Sequence, residues 1–273
     1  MSVRIFSGDQ PVAAIEHDDR GLAYGDGVFE TMLVHRGEPT WWHKHWQRFE
    51  RGAGVLGIPV PDPLLVRGEC DRMIAGVDRA VLKIILTRGR GGRGYSPAAD
   101  KPPTWIMSLH AAPPPAATQG IRVQWCETRY AIQPALAGIK HCNRLEQVLA
   151  RAECTDPDIF DGLMCDTDDR VISATSANLF ARIDGGWLTP VIGRCGIAGV
   201  ARDWLLRHLD RAREAELGRT DVENAEAIFL CNSVRGILPV RRLGDRQWPG
   251  DEAVDRVRRQ LAIEQPAFSF EDS

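Results

Sequence analysis

The segment AAPPPAATQG, residues 111–120, sets the first constraint on the fold. It shows neither strand nor helix periodicity and closes on a glycine, so it reads as a short, semi-rigid linker. At 273 residues the chain is too long for one small core. The expected organisation is an N-terminal domain over 1–110, a linker over 111–120 and a C-terminal domain over 121–273.

Each half mixes strands and helices. Before the linker, GVFETMLVHRG reads as a strand ending in a turn, and AVLKIILTR and PTWIMSLH as two more β-rich runs. HKHWQRFERGAGVLG reads as a helix with Trp46, Phe49 and Val55 to one side and glycines at its end. An α+β sandwich follows. After the linker, IRVQWCE alternates as a half-buried strand, and NRLEQVLARAE places Leu145, Val148, Leu149 and Ala152 at amphipathic helix spacing. DGLMCDTDDRVIS reads as a hairpin with an Asp-rich turn, and ANLFARIDGGWLTPV as a second one turning at DGG. GVARDWLLRHLDRAREAEL reads as one long helix, AIFLCNS and GILPVRRL as strands, and DEAVDRVRRQLAIEQ as a closing helix. The second domain should be a barrel-like α+β unit with helices outside.

Composition narrows the function. A net charge of -3 argues against a general electrostatic grip on nucleic acid. The seven cysteines are scattered with no CxxC pair, which argues for idle thiols in a reducing compartment and against a metal site. No run is long and apolar enough to span a membrane, and MSVRIFSGDQPV lacks the apolar core of a secretion signal. The expectation is a soluble cytoplasmic protein with a small-molecule substrate.

Three strings could carry chemistry. RGRGGRGY, 88–95, has dinucleotide-like glycine spacing after a strand, but YSPAADKPPT cannot start the helix that a phosphate would need. It reads as a hairpin loop, with Arg88, Arg90 and Arg93 able to offer guanidinium groups to a carboxylate. GIAGVARD, 196–203, opens a helix, so the backbone N–H groups of Val200 and Ala201 are free to hold a phosphate. Ser233, past a strand, and Arg48, on the first-domain helix, could complete that cup. LAGIKHCNRLEQVLARAE contains Lys140, one of only four lysines among 34 basic residues. An ammonium beside apolar residues is disfavoured by desolvation, and a neutral amine can form a Schiff base and move protons, which arginine cannot. A Cys or Ser hydrolase finds no support: no nucleophile elbow is present, and no histidine is legibly paired with a nucleophile.

GLAYGDGVFET, HWQRFERGAGVLGI, ILTRGRGGRGYSP, LAGIKHCNRLEQVLARAE, SANLF, GVARD and CNSVRGILPV together resemble the class IV aminotransferase family, the fold-type IV pyridoxal phosphate enzymes. The resemblance runs from about residue 3 to the C-terminal helix. Within the family, RGRGGRGYS and KHCNRLEQVLAR resemble the lyase branch, which splits 4-amino-4-deoxychorismate into 4-aminobenzoate and pyruvate for folate. The branched-chain and D-amino acid transaminase branches are the alternative.

The resemblance implies pyridoxal 5'-phosphate as cofactor. It implies Lys140 as the lysine that holds it and serves as acid/base, Arg48 as a phosphate-binding arginine, Val200 and Ala201 as the helix-start amides, and Ser233 as the hydroxyl at the phosphate. It also implies a two-domain subunit in a homodimer. Ser173 stands where the family usually has a glutamate facing the pyridine nitrogen. A carboxylate keeps that nitrogen protonated and the ring a strong electron sink, and a hydroxyl does so less well. That difference disfavours a transaminase more than a lyase whose product becomes aromatic. Arg144 stands where the D-amino acid enzymes have a tyrosine and suits a dicarboxylate. Thr31, Arg93, Arg144 and Arg235 are the candidate substrate contacts.

Overall fold

The computed structural model describes residues 2–97, 101–114 and 119–269. The chain forms two compact units, one of Met1–Ala112 with Ile139–Asn143, the other of Pro113–Gly138 with Arg144–Ser273. The segment around Lys140 thus belongs with the N-terminal half despite following the linker. Ala111 of the expected linker closes a strand, and residues 115–118 lie outside the described residues.

The first unit contains β1 (Ser2–Ser7), β2 (Gln10–Val12), α1 (Arg20–Tyr24), β3 (Gly27–His35), β4 (Glu38–Pro39), α2 (Trp42–Leu56), α3 (Pro63–Ile74), β5 (Arg79–Thr87) and β6 (Thr104–Ala111). The six strands form one antiparallel sheet in the order β2-β1-β6-β5-β3-β4. Alternation sends Val28, Met32 and Val34 of β3, Leu82, Ile84 and Leu86 of β5 and Trp105 and Met107 of β6 to one face. There they pack with Phe49 and Ala53 of α2 and Val66, Cys70 and Ile74 of α3. Phe6 stacks on Trp105 with ring centroids 3.8 Å apart. The buried residues of α2 are His45, Arg48, Phe49, Gly52 and Ala53, a single helical stripe. Val55 falls off that stripe and is 53% exposed, against the sequence expectation.

Segment 139–143 is held on the free edge at the start of β3. Phe29 N–H donates to Lys140 O at 2.9 Å, and Cys142 N–H donates to Gly27 O at 2.8 Å. Asn143 Nδ2 donates to Gly25 O, the left-handed C-cap of α1. Gly27 has no room for a side chain, because a Cβ there would run into the Leu86 carbonyl.

The second unit contains β7 (Ile121–Trp125), α4 (Leu145–Ala152), β8 (Ile159–Cys165), β9 (Val171–Ala174), β10 (Asn178–Ile183), β11 (Gly186–Pro190), α5 (Val200–His208), β12 (Arg213–Ala215), α6 (Arg219–Asn224), β13 (Ala227–Asn232), β14 (Gly236–Leu243), β15 (Arg246–Gln247) and α7 (Glu252–Glu264). Nine strands form a curled sheet in the order β12-β11-β10-β13-β14-β7-β8-β9, with β15 added to β14. The two expected hairpins are present as β8–β9 and β10–β11. The second turns at Asp184 and Gly185, both with positive φ, as a tight two-residue hairpin requires. The core is built from Leu163, Leu179, Ala181, Ile228, Leu230, Leu238 and Val240, closed by Leu217 and Val222.

Two helix expectations are corrected. The helix opened by GVARD stops at His208, because Arg211 is left-handed and REA pairs in parallel with β11 as β12. Strand pairing wins over the continuing helical pattern of the sequence. In α4 the amphipathic spacing is real but its polarity is inverted. Leu145, Val148 and Leu149 are 76%, 60% and 60% exposed, while Gln147 and Ala150 are buried.

Candidate active site

The first unit carries Lys140, Thr31, Arg48 and Arg93. Backbone pairing with β3 places the Lys140 Nζ 4.3 Å from the centroid of the Phe29 ring. Thr31 lies two residues along β3 and so shares the Phe29 face of the sheet. Lys83 pairs in register with Thr31, and its Nζ lies 5.3 Å from the same ring.

The opposite face of β3 holds a buried ionic cluster. Arg48 Nε and Nη2 donate to the two oxygens of Glu30 at 2.8 and 2.6 Å, a bidentate pair. His45 Nδ1 is 2.6 Å from Glu30 Oε2. Burial pushes the Glu30 carboxyl up, but the Arg48 charge and the His45 contact outweigh it and bring it down to about 2. His45 is held below its ordinary value chiefly by burial, which, with lesser repulsion from Arg48 and Lys140, outweighs the pull of Glu30. The ring is therefore neutral near pH 7, and its contact with Glu30 is a hydrogen bond donated by Nδ1 rather than an ion pair. That leaves Nε2 as an acceptor, buried and without a partner among the described residues. Sequence reasoning found Arg48 but missed Glu30 and His45. A glutamate alternating with Val28 and Met32 in an otherwise apolar strand face was the available signal.

Of the three loop arginines, two are engaged structurally. Arg88 donates to Asp26 and to the Leu56 and Gly57 carbonyls, and Arg90 pairs with Asp18. Arg93 alone of the three is exposed with no side-chain hydrogen bond or ion pair among the described residues.

The second unit carries Ser173, Arg144, Val200, Ala201, Ser233 and Arg235. Val200 and Ala201 are the first two residues of α5 after the N-cap Gly199, so their N–H groups have no intrahelical acceptor. Gly199 abuts Asn178, and Asn178 Nδ2 braces the approach to the helix by donating to Ile197 O at 2.9 Å. Asn178 also pairs in register with Cys231, two residues before Ser233. The helix start and the turn bearing Ser233 are thereby held together. In that turn, Asn232 Oδ1 accepts from the N–H groups of Val234 and Arg235. Arg235 lies elsewhere on its turn, over the Phe160 ring at 5.0 Å, with Nη1 donating to Pro114 O.

Ser173 is 5% exposed and lies with Tyr130. Its Oγ donates to Ala174 O at 2.8 Å, and the Tyr130 hydroxyl is 2.8 Å from the same Oγ. With the serine proton committed to Ala174, Tyr130 is the donor to Ser173. Burial raises the Tyr130 hydroxyl, so it stays protonated near neutral pH. Arg144, at the N-cap of α4, adds a positive charge felt at Tyr130.

The model of the family described as amino-transferase class IV matches residues 27–243. The chain belongs to the class IV aminotransferase family. An aminodeoxychorismate lyase of Vibrio harveyi is 34% identical over 258 residues, covering 92% of this chain and 95% of that protein. A crystal structure of 4-amino-4-deoxychorismate lyase from Pseudomonas aeruginosa matches with a TM-score of 0.89 and 39% identity, covering 96% of this chain and 99% of that one. The Escherichia coli branched-chain amino acid aminotransferase shares the fold at a TM-score of 0.80 and 20% identity, covering 99% and 96%. The mixed fold with its curled half-barrel sheet is that of the family.

The Glu30 cluster makes an acid-stability prediction. A carboxyl lowered in the folded state contributes stability that is complete above its unfolded value and is lost as pH falls toward 2. Glu30→Gln should flatten the fall of unfolding free energy between pH 5 and 2, a span worth about 3 kcal/mol in the native chain. Urea titrations at stepped pH read this, and an unchanged slope would contradict the charge assignment.

Proposed function

We propose that the chain is a pyridoxal phosphate-dependent lyase that converts 4-amino-4-deoxychorismate to 4-aminobenzoate and pyruvate. The observation that carries this reading is Lys140, an amine held by backbone pairing against an aromatic ring. The similarity to two lyases across nearly the whole chain supports it. The residues present fit the cofactor: an amine for its aldehyde, a buried helix start braced by Asn178 for its phosphate, and a buried hydroxyl pair at Ser173. In this reading Lys140 holds the aldehyde carbon, and the Val200 and Ala201 amides and the Ser233 hydroxyl hold the phosphate, aided by Arg48, whose orientation Glu30 fixes. Bound there, pyridoxal phosphate supplies an electron sink for the carbon next to the substrate nitrogen.

The residues then divide the work. Lys140 Nζ, released when the substrate amino group takes its place, would remove the proton from the ring carbon that bears the amino group. Electrons from that C–H bond form the aromatic ring as the enolpyruvyl C–O bond breaks. The departing enolpyruvate takes a proton on its methylene carbon, from Lys140 or a held water, and leaves as pyruvate. Thr31, Arg93, Arg144 and Arg235 hold the substrate, the arginines by its carboxylates. The second reading, a branched-chain or D-amino acid transaminase on the same scaffold, is disfavoured by Ser173, because a hydroxyl pair supports protonation of the ring nitrogen less than a carboxylate does.

We further place the protein in the cytoplasm as a homodimer. No helix among the described residues is long and apolar enough to cross a membrane, and all seven cysteines are free thiols, which suits a reducing compartment. The outward apolar stripe of Leu145, Val148 and Leu149 on α4 supports burial against a second copy.

Three outcomes are expected. Purified protein loaded with pyridoxal phosphate should release pyruvate from aminodeoxychorismate, and borohydride should fix the cofactor to Lys140 by mass spectrometry. No pyruvate would remove the lyase reading. Ser173→Glu should increase conversion of the cofactor to its amine form by single amino acids, and no increase would remove the account of Ser173. Leu149→Asp should shift the protein toward monomer in sedimentation, since burying an unpaired charge costs several kcal/mol.

A further inference from the structure

Arg20 is almost fully buried, yet it lies on a helix of only five residues and belongs to none of the groups assigned above. Its guanidinium is saturated in three directions. Nε donates to Asp26 at 2.9 Å, Nη1 to Gly94 O at 3.0 Å and Nη2 to Tyr95 O at 2.9 Å. Its plane also covers the Tyr24 ring at 4.9 Å, and Tyr24 in turn meets Tyr95 with centroids 5.5 Å apart. Gly91 lies directly against the Arg20 side chain, where a Cβ would meet its methylenes at 2.5 and 2.6 Å.

The two carbonyls it holds follow Arg93 at once in sequence. Arg93 itself is exposed and unengaged among the described residues. The remainder of the loop is fastened by other means, with Gly91 N–H donating to Asp18 O, Arg90 to Asp18 and Arg88 to Asp26. Among the described residues, Arg20 makes the hydrogen bonds that fix the backbone on the C-terminal side of Arg93, beside the Tyr24–Tyr95 ring contact. Asp26 is the shared node: it accepts from Arg20 and from Arg88, and it directly precedes Gly27, whose carbonyl receives the Cys142 N–H beside Lys140. One partly buried carboxylate therefore ties the arginine loop and the lysine segment to the same end of β3.

We propose that Arg20 is a positioning residue that clamps the 94–95 backbone and thereby fixes the Arg93 guanidinium for an anionic substrate. This rests on the reading that Arg93 binds a substrate carboxylate. Lysine cannot replace it, since a single ammonium can pair with Asp26 but has no planar fork to span two further carbonyls. A loose loop lowers substrate affinity by the cost of ordering it and leaves the chemistry at Lys140 untouched.

The test uses the loaded full-length enzyme and the Arg20→Lys variant, chosen because it keeps the charge opposite Asp26 and should still fold. Trypsin should cut after Arg93 several-fold faster in the variant, read by mass spectrometry of the native protein. KM for aminodeoxychorismate should rise about tenfold with kcat within about twofold. Arg93→Gln should raise KM comparably, and Arg20→Lys added to it should raise KM no further, because the two act through one contact. Unchanged cleavage at Arg93 overturns the clamp, and effects on KM that add independently overturn the coupling to Arg93. The cleavage measurement needs no substrate, so it separates a failed clamp from a failed assignment of the activity.

Discussion

Two backbone hydrogen bonds, Phe29 N–H to Lys140 O and Gly27 O from Cys142 N–H, decide where the Lys140 amine stands. They pair a five-residue segment of the second half of the chain with the edge of a strand from the first. Much of the surrounding sequence serves this pairing. Gly25 adopts the left-handed C-cap that turns α1 into β3, and its carbonyl accepts from Asn143. Gly27 lets the β5 backbone approach where any side chain would collide. The strings GLAYGDGVFET and KHCN are therefore one device, written in two places more than a hundred residues apart.

The arginine-rich composition has a physical counterpart. Arg20, Arg48 and Arg202 are buried, and each places its planar fork on two or more acceptors: Arg20 on Asp26 and two carbonyls, Arg48 on both oxygens of Glu30, Arg202 on Pro190 O and Glu214. A buried cation with unfilled donors costs several kcal/mol, and five fixed donors fill such sites better than one mobile ammonium. Two of the four lysines, Lys83 and Lys140, instead lie with the amine over the Phe29 ring.

Strand runs and both hairpins of the second unit were legible because each rests on local rules, alternation and turn residues. What escaped depends on contacts distant in sequence. The α4 pattern announced an apolar face, but periodicity does not say which way a face points, and here Gln147 and Ala150 turn inward. The helix after GVARD was overdrawn because REA finds a strand partner in β11. Arg88 and Arg90 looked like ligand-binding groups until Asp26 and Asp18 were seen to occupy them. The pairing of Arg48 with Glu30 and His45 escaped because its members meet across a strand–helix contact.

Ser173 shows how the polarity of a buried position is set by its surroundings. The residue sits in β9, opposite Met164 of β8, with its proton given to the carbonyl of Ala174 and its oxygen receiving the proton of Tyr130. Both hydroxyls stay neutral, since burial opposes ionisation of the tyrosine. One serine lone pair remains free, so the site can accept a hydrogen bond but brings no negative charge to stabilise a cation. A carboxylate at 173 would face the Tyr130 hydroxyl as a strong acceptor and bring a full charge to a buried position opposite Met164. The hydrogen bond makes the serine and the tyrosine one unit, so the polarity at 173 is set by two residues of the second unit rather than by one.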